Sequence, residues 1–229
     1  MTTELSAWNP YLQIPGAPTP AKEQAVLAAA IELCEATLIW MDDLDRISVV
    51  ANDRDYDLSP PASLSSYAKV NSVEAVQYKD DGADDNQFAL LDPFAARNAQ
   101  RGITKSGAWK FDTAAAPSEY WVNPATMILN LYPIPTVASA SGLLVTASFS
   151  PIETATVVPS FLFTLYKKAV EKGAKALLYD QRAMPWYDPK KAFSDRADFE
   201  IEMGRINLLG NTGATPQPHT INFRGDSWL

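Results

Sequence analysis

The spacing of apolar residues changes twice along the chain, from a helical to an alternating period near residue 43 and back to helical after Pro159. Val26, Ala30, Leu33, Thr37 and Trp40 recur at three- and four-residue steps, with Leu27, Ile31, Cys34, Leu38 and Met41 beside them. This predicts a helix over 20–41 with a wide apolar face, Lys22, Glu32 and Glu35 pointing outward. Thr19-Pro20 supplies its cap and first turn. Asp42 and Asp43 carry the wrong charge for a helix C-terminus and end it. From 46 to 149 the period is two, with candidate strands at 47–50, 56–58, 69–78, 88–91, 119–122, 127–131 and 143–149. Turn signals separate them: Asn52-Asp53, Pro60-Pro61, Asp81-Gly82, Asn123-Pro124, Pro133 and Pro135. After Pro159, Phe161, Leu165, Ala169, Ala176 and Tyr179 share one helical face, and Leu162, Tyr166, Val170, Leu177 and Leu178 another. Gly173 falls inside this helix at a propensity cost, which points to a backbone packed close by. Met184-Pro185-Trp186 forms a tight link, with Trp186 as a plug between two helices. Asp188-Pro189 opens a last helix that runs to about Leu209 and closes at Gly210.

That order predicts an α+β fold: a small antiparallel helical bundle from 20–42 and 159–210, with an inserted antiparallel β domain over 43–158. Residues 1–19 carry Pro10, Pro15 and Pro18 and read as an extended arm, with Trp8 and Tyr11 as its contacts. Residues 211–229 have no period and read as an extended tail, with Ile221, Phe223, Arg224, Trp228 and Leu229 as docking residues. The pattern is weakest at 92–118, a long loop with a helical turn at 95–101.

Composition narrows the chemistry. The chain has 229 residues, ample for a core at 47% hydrophobic, and a net charge of −8. A basic nucleic-acid footprint is not expected; an acidic surface repels a DNA duplex and leaves it mobile. Residues 1–8 lack the basic start and apolar core of a signal peptide, and no apolar run reaches membrane-spanning length, so a soluble chain without a membrane partner is expected. Cys34, the single cysteine, excludes an internal disulfide and reads as a small buried hydrophobe. His219, the single histidine, lies in the tail without the rigid support a catalytic base needs. Nucleophile-elbow, dinucleotide and phosphate-loop patterns are absent. Asp80, Asp81, Asp84 and Asp85 surround Gly82 in the wrong order for a calcium loop and read as a hairpin tip. Glu32 with Glu35, or Glu153 with Asp180, are the carboxylate pairs a glycan hydrolase would use. A glycan-binding sheet would present Trp109, Tyr120 or Trp121. Lys167, Lys168, Lys172, Lys175, Lys190 and Lys191 read as the solvated face of two helices, or as a patch that meets an acidic neighbour. Arg224-Gly225-Asp226 is a short tripeptide of the kind chance supplies. No catalytic residue, metal or cofactor is expected.

In order along the chain, Ala29 to Trp40, Tyr56-Asp57-Leu58 before Pro60-Pro61, the Val70/Val73/Val76 repeat and Leu131-Tyr132-Pro133-Ile134-Pro135 form one series. Pro151, Val158-Pro159, Tyr166, Gly173-Ala174, Leu177-Leu178 and Pro185-Trp186-Tyr187-Asp188-Pro189, with Ala192 and Phe199, continue it. Over roughly 20–205 this series resembles the head-to-tail adaptor (connector) proteins of tailed phages. The resemblance implies a non-enzymatic structural protein of the virion neck. Its partners would be the portal protein, a downstream tail (nozzle) protein and further copies of itself in a ring, typically of twelve. Double-stranded DNA would pass through that ring without specific binding. The rival readings are a tail-completion protein further from the portal and a tail-associated cell-wall glycan hydrolase.

Overall fold

The computed structural model describes residues 1–80, 82, 87–93 and 112–211. Strand β1 (Thr2–Glu4) and a 3-10 turn (Leu5–Trp8) lead into helix α1 (Thr19–Thr37). There follow β2 (Met41–Asp43), β3 (Ile47–Val49), β4 (Asp55–Asp57), β5 (Ala68–Tyr78), β6 (Ala89–Leu90), β7 (Asp92–Pro93) and β8 (Thr113–Ala114). Next come β9 (Glu119–Asn123), β10 (Ile128–Tyr132), β11 (Ile134–Pro135), β12 (Ser139–Pro151) and β13 (Val157–Pro159). Helices α2 (Ser160–Leu165), α3 (Lys167–Tyr179) and α4 (Pro189–Asn211) complete the order.

The spine of the fold is β12. It pairs antiparallel with β5 from Leu143↔Tyr78 to Pro151↔Ala68, and with β2 and β3 on its other side. Two bulges, after Thr146 and after Ser148, shift the β5 register; such extra residues bend and twist a strand. A second sheet runs β4-β10-β9-β7, antiparallel except for the β7–β9 pair. Two small ribbons, β11–β8 and β1–β13, complete the pairing.

This corrects the expected class. The chain is mixed but sheet-rich, with thirteen strands against four α-helices among the described residues, and it is not a small helical bundle carrying an inserted domain. The physical reason is the environment of α1. Between 21 and 37 it is exposed only at Gln24, Ala28, Glu35 and Ala36. It packs on β12 as well as on α3 and α4, so helices and sheet share one continuous core. A helix buried on so many sides reads in sequence as a bundle member, whichever element covers it.

Three local expectations also shift. Helix α1 stops at Thr37, because Leu38 turns left-handed at φ 52° and donates its N–H to the Cys34 carbonyl. Trp40 therefore leaves the helix and packs between Tyr67, Phe149 and Phe161. The helix expected after Pro159 is two helices, broken at Tyr166. Residues 1–19, expected as an extended arm, instead pair with β13 and bury Leu5, Trp8, Leu12 and Ile14 in the core. The loop expected over 92–118 begins in β7 and contains β8.

Candidate interaction surface

Helix α4 is held on its inner side. Ala192, Phe199 and Ile206 are buried there. A Cβ built on Gly173 of α3 would stand 3.1 Å from the Phe199 ring and 2.9 Å from the Ala29 Cβ, so this glycine is where α1, α3 and α4 meet most closely. Charge pairs line the seam. Arg196 donates two hydrogen bonds to the Glu32 carboxylate, at 2.6 and 2.9 Å, and a third to Glu200 at 2.8 Å. Lys172 reaches Asp195 and Asp198, each at 2.8 Å. Those two carboxylates raise the Lys172 pKa, and Lys172 in turn holds Asp198 below the usual carboxylate range.

The outer side of α4 carries a feature the helical period did not reveal. Phe193, Ile201 and Leu208 are 78%, 68% and 67% exposed. Together with Ala197 and Gly204 they fall on one face at helical spacing. The sequence does contain the signal: this helix is apolar on two faces, an inner one with Ala192 and Phe199 and an outer one with Phe193, Ile201 and Leu208.

A second surface is concave and mixed in polarity. Trp40, Met41, Asp42, Tyr67, Leu165 and Tyr166 are among the residues lining a cavity of about 460 Å³ between β2 and α2. Met41 and Leu165 are exposed on its rim. It shares no residue with the outer stripe of α4.

The residues singled out in the sequence are distributed as follows. Trp8 is fully buried against Phe163, ring centres 4.8 Å apart, and is a core residue rather than an arm contact. Tyr11 is exposed, with the Lys167 ammonium 3.7 Å from its ring centre. Ile221, Phe223, Arg224, Trp228, Leu229 and His219 lie outside the described residues, as do Trp109, Asp81, Asp84 and Asp85. The lysine group does not form a free basic patch: Lys172 and Lys175 bridge to Asp195, Asp198 and Glu171, and Lys191 to Asp188 at 3.4 Å. Trp186 is half-buried, and its indole N–H donates to Gln181 at 3.2 Å.

The candidate carboxylates have partners of their own or lie apart. Glu32 is bound by Arg196, and Glu35 lies 3.0 Å from Lys69. Glu153 lines one cleft beside α1 with Glu4 and Glu23 and a second with Glu32 and Glu35, whereas Asp180 caps the end of α3. Tyr120 is buried while its neighbour Trp121 is exposed, so the two face opposite sides of β9 and make no shared platform. Among the described residues no cluster of His, Cys, Asp and Glu could hold a metal ion, and no helix is long and apolar enough to cross a membrane.

Burial pushes the Cys34 thiol up to about 12. The thiolate is the reactive form, so the folded protein is expected to resist alkylation at mildly alkaline pH and to react only on denaturation. Rapid labelling of native protein, read by intact mass, would show that this part of α1 opens. The chain matches no family model, and no curated protein matches it.

Proposed function

We propose that this chain is a structural head-to-tail adaptor of a tailed phage, one copy in a ring beneath the portal that extends the DNA channel and joins capsid to tail. The observation that carries the reading is a pair of unlike surfaces: the convex apolar stripe on α4 and the concave cleft of mixed polarity between β2 and α2. A closed ring needs two different faces that fit one another, so that each copy offers one and receives the other. Scattered exposed apolar residues are ordinary on any protein; here three large ones share a single helix face. The net charge of −8 suits a lumen through which DNA slides. The ordered resemblance over 20–205 points the same way.

The test is co-expression with the portal of the same genome, followed by electron microscopy of the purified complex. The expected result is an added ring of density at the narrow end of the portal, with matching rotational symmetry. Deleting 212–229, which removes Ile221, Phe223, Arg224, Trp228 and Leu229, is expected to abolish portal binding and leave the thermal transition in place. A bare portal with this chain left free would overturn the adaptor reading in favour of a position further down the tail.

A further inference from the structure

Among the described residues nothing accounts for Gly204. A Cβ built there meets nothing within 4 Å. Glycine inside a helix costs about 1 kcal/mol relative to alanine. At Gly173 the reason is visible in the crowding of Ala29 and Phe199. At Gly204 the space lies clear of the described residues, in the middle of the exposed stripe.

The stripe is also symmetric in sequence. Phe193 and Leu208 stand equally far from the midpoint between Glu200 and Ile201, and so do Ala197 and Gly204. The order along the face is large, small, large, small, large. We infer that two copies of this chain pair through α4, antiparallel, about a two-fold axis that passes close to Ile201. In that arrangement Phe193 of each copy meets Leu208 of the other, Ala197 faces Gly204, and the small residues let the helices approach closely enough for the two Ile201 side chains to meet on the axis. An antiparallel, self-complementary contact is what an isologous pair requires, and alternating large and small residues interlock as ridges into grooves.

Charge and area agree with the same occupant. A two-fold axis across an antiparallel pair brings like flanks together. Asp198 and Arg205 share one flank, so each Asp198 comes within about 3 Å along the helix of the level of the other copy's Arg205; each is already paired in its own chain, Asp198 with Lys172 at 2.8 Å and Arg205 with Glu202 at 3.4 Å, so this flank is neutral and does not repel. On the other flank Glu200 approaches its symmetry mate, and Arg196 within each copy already neutralises it at 2.8 Å. Phe193, Ile201 and Leu208 of each copy with their flanks bring the pair at most to the lower limit of specific interfaces, about 1,200 Å² in total. Such a pair dissociates readily. It closes on itself, so it occupies the ridge that the ring would use. Its role as a holding form before assembly rests on the adaptor reading, whereas the pairing itself does not.

The experiment uses the full chain without portal. Light scattering at roughly 100 µM is expected to give the mass of two copies, and Ile201→Asp is expected to raise the dissociation constant by roughly 100-fold or more. Oxidative cross-linking then fixes the geometry; the native Cys34 is buried and contributes no background. Ile201→Cys is expected to cross-link to itself. Gly204→Cys alone is not, because the two sites lie about 10 Å apart along the axis. Mixing Ala197→Cys with Gly204→Cys is expected to yield the mixed dimer. All three positions face outward, so the variants retain the fold. A monomer at that concentration, self-linking of Gly204→Cys, or open-ended chains would overturn the inference. A portal complex without a free dimer would sink this pairing and leave the adaptor intact; a free dimer with a bare portal would do the reverse.

Discussion

Replacing Trp8 with alanine lowers the free energy of unfolding by about 3–5 kcal/mol, the range for truncating a large aromatic in a well-packed core. Trp8 is fully buried, edge-on to Phe163, and Leu12 beside it is also fully buried. The segment is tied down on its other side by β1, where Thr2 pairs with Pro159 and Glu4 with Val157. Ser160 donates its N–H to the Met1 carbonyl at 3.1 Å. The indole N–H of Trp8 has no hydrogen-bond partner among the described residues. Trp8→Phe therefore removes an unpaired donor along with some volume, and is expected to lose less than about 1.5 kcal/mol. Urea denaturation separates the two variants by their midpoints at constant slope. If Trp8→Ala behaves like a surface substitution, within about 0.5 kcal/mol, the N-terminal segment does not belong to the core.

Trp8 also shows where sequence reading stops. Three prolines in nineteen residues forbid a long helix or a central strand, and that inference holds. They do not forbid packing. Leu5, Trp8, Leu12 and Ile14 follow no regular period because a 3-10 turn and irregular backbone carry them, so no moment in the pattern marks them as buried. The longer strands were legible because alternation is local, whereas short ones such as β1, β2 and β13 were not. The candidate at 69–78 corresponds to β5, Ala68–Tyr78, and that at 119–122 to β9, Glu119–Asn123. The architecture was not legible in the same way, since it depends on which face of α1 meets which partner. Periodicity says that a face is apolar; it does not say whether a helix or β12 lies on it. The outer stripe of α4 was hidden for a related reason. An apolar residue that faces water has the same spacing as one that faces the core, and only the three-dimensional placement of Phe199 shows which is which. Gly173 is the opposite case, a single residue whose type alone announced a close helix contact.

That contact sets the second large effect. Phe199→Ala is expected to cost about 3–5 kcal/mol, because the ring is fully buried between α1, α3 and α4 and the rigid helices around it cannot collapse into the space. Gly173→Ala places a methyl against the same ring. The change gains about 1 kcal/mol of helix propensity, and overpacking of this kind costs about 1–3 kcal/mol. The Ala29 Cβ at 2.9 Å is fixed to its backbone and cannot rotate away, so the net effect is a loss of about 1 kcal/mol. The two substitutions share a partner, so they do not add. With Phe199 cut back to alanine the contacts at 3.1 Å disappear and only the clash with Ala29 remains. The methyl at 173 then fills part of the cavity that the missing ring leaves. Gly173→Ala is therefore expected to be less damaging in the Phe199→Ala background than in the native one, by about 0.5–1 kcal/mol. A double-mutant cycle from urea midpoints measures this directly. Additivity within about 0.3 kcal/mol would mean that the ring and the glycine are not in contact, and that α4 does not seat on α3 at this point.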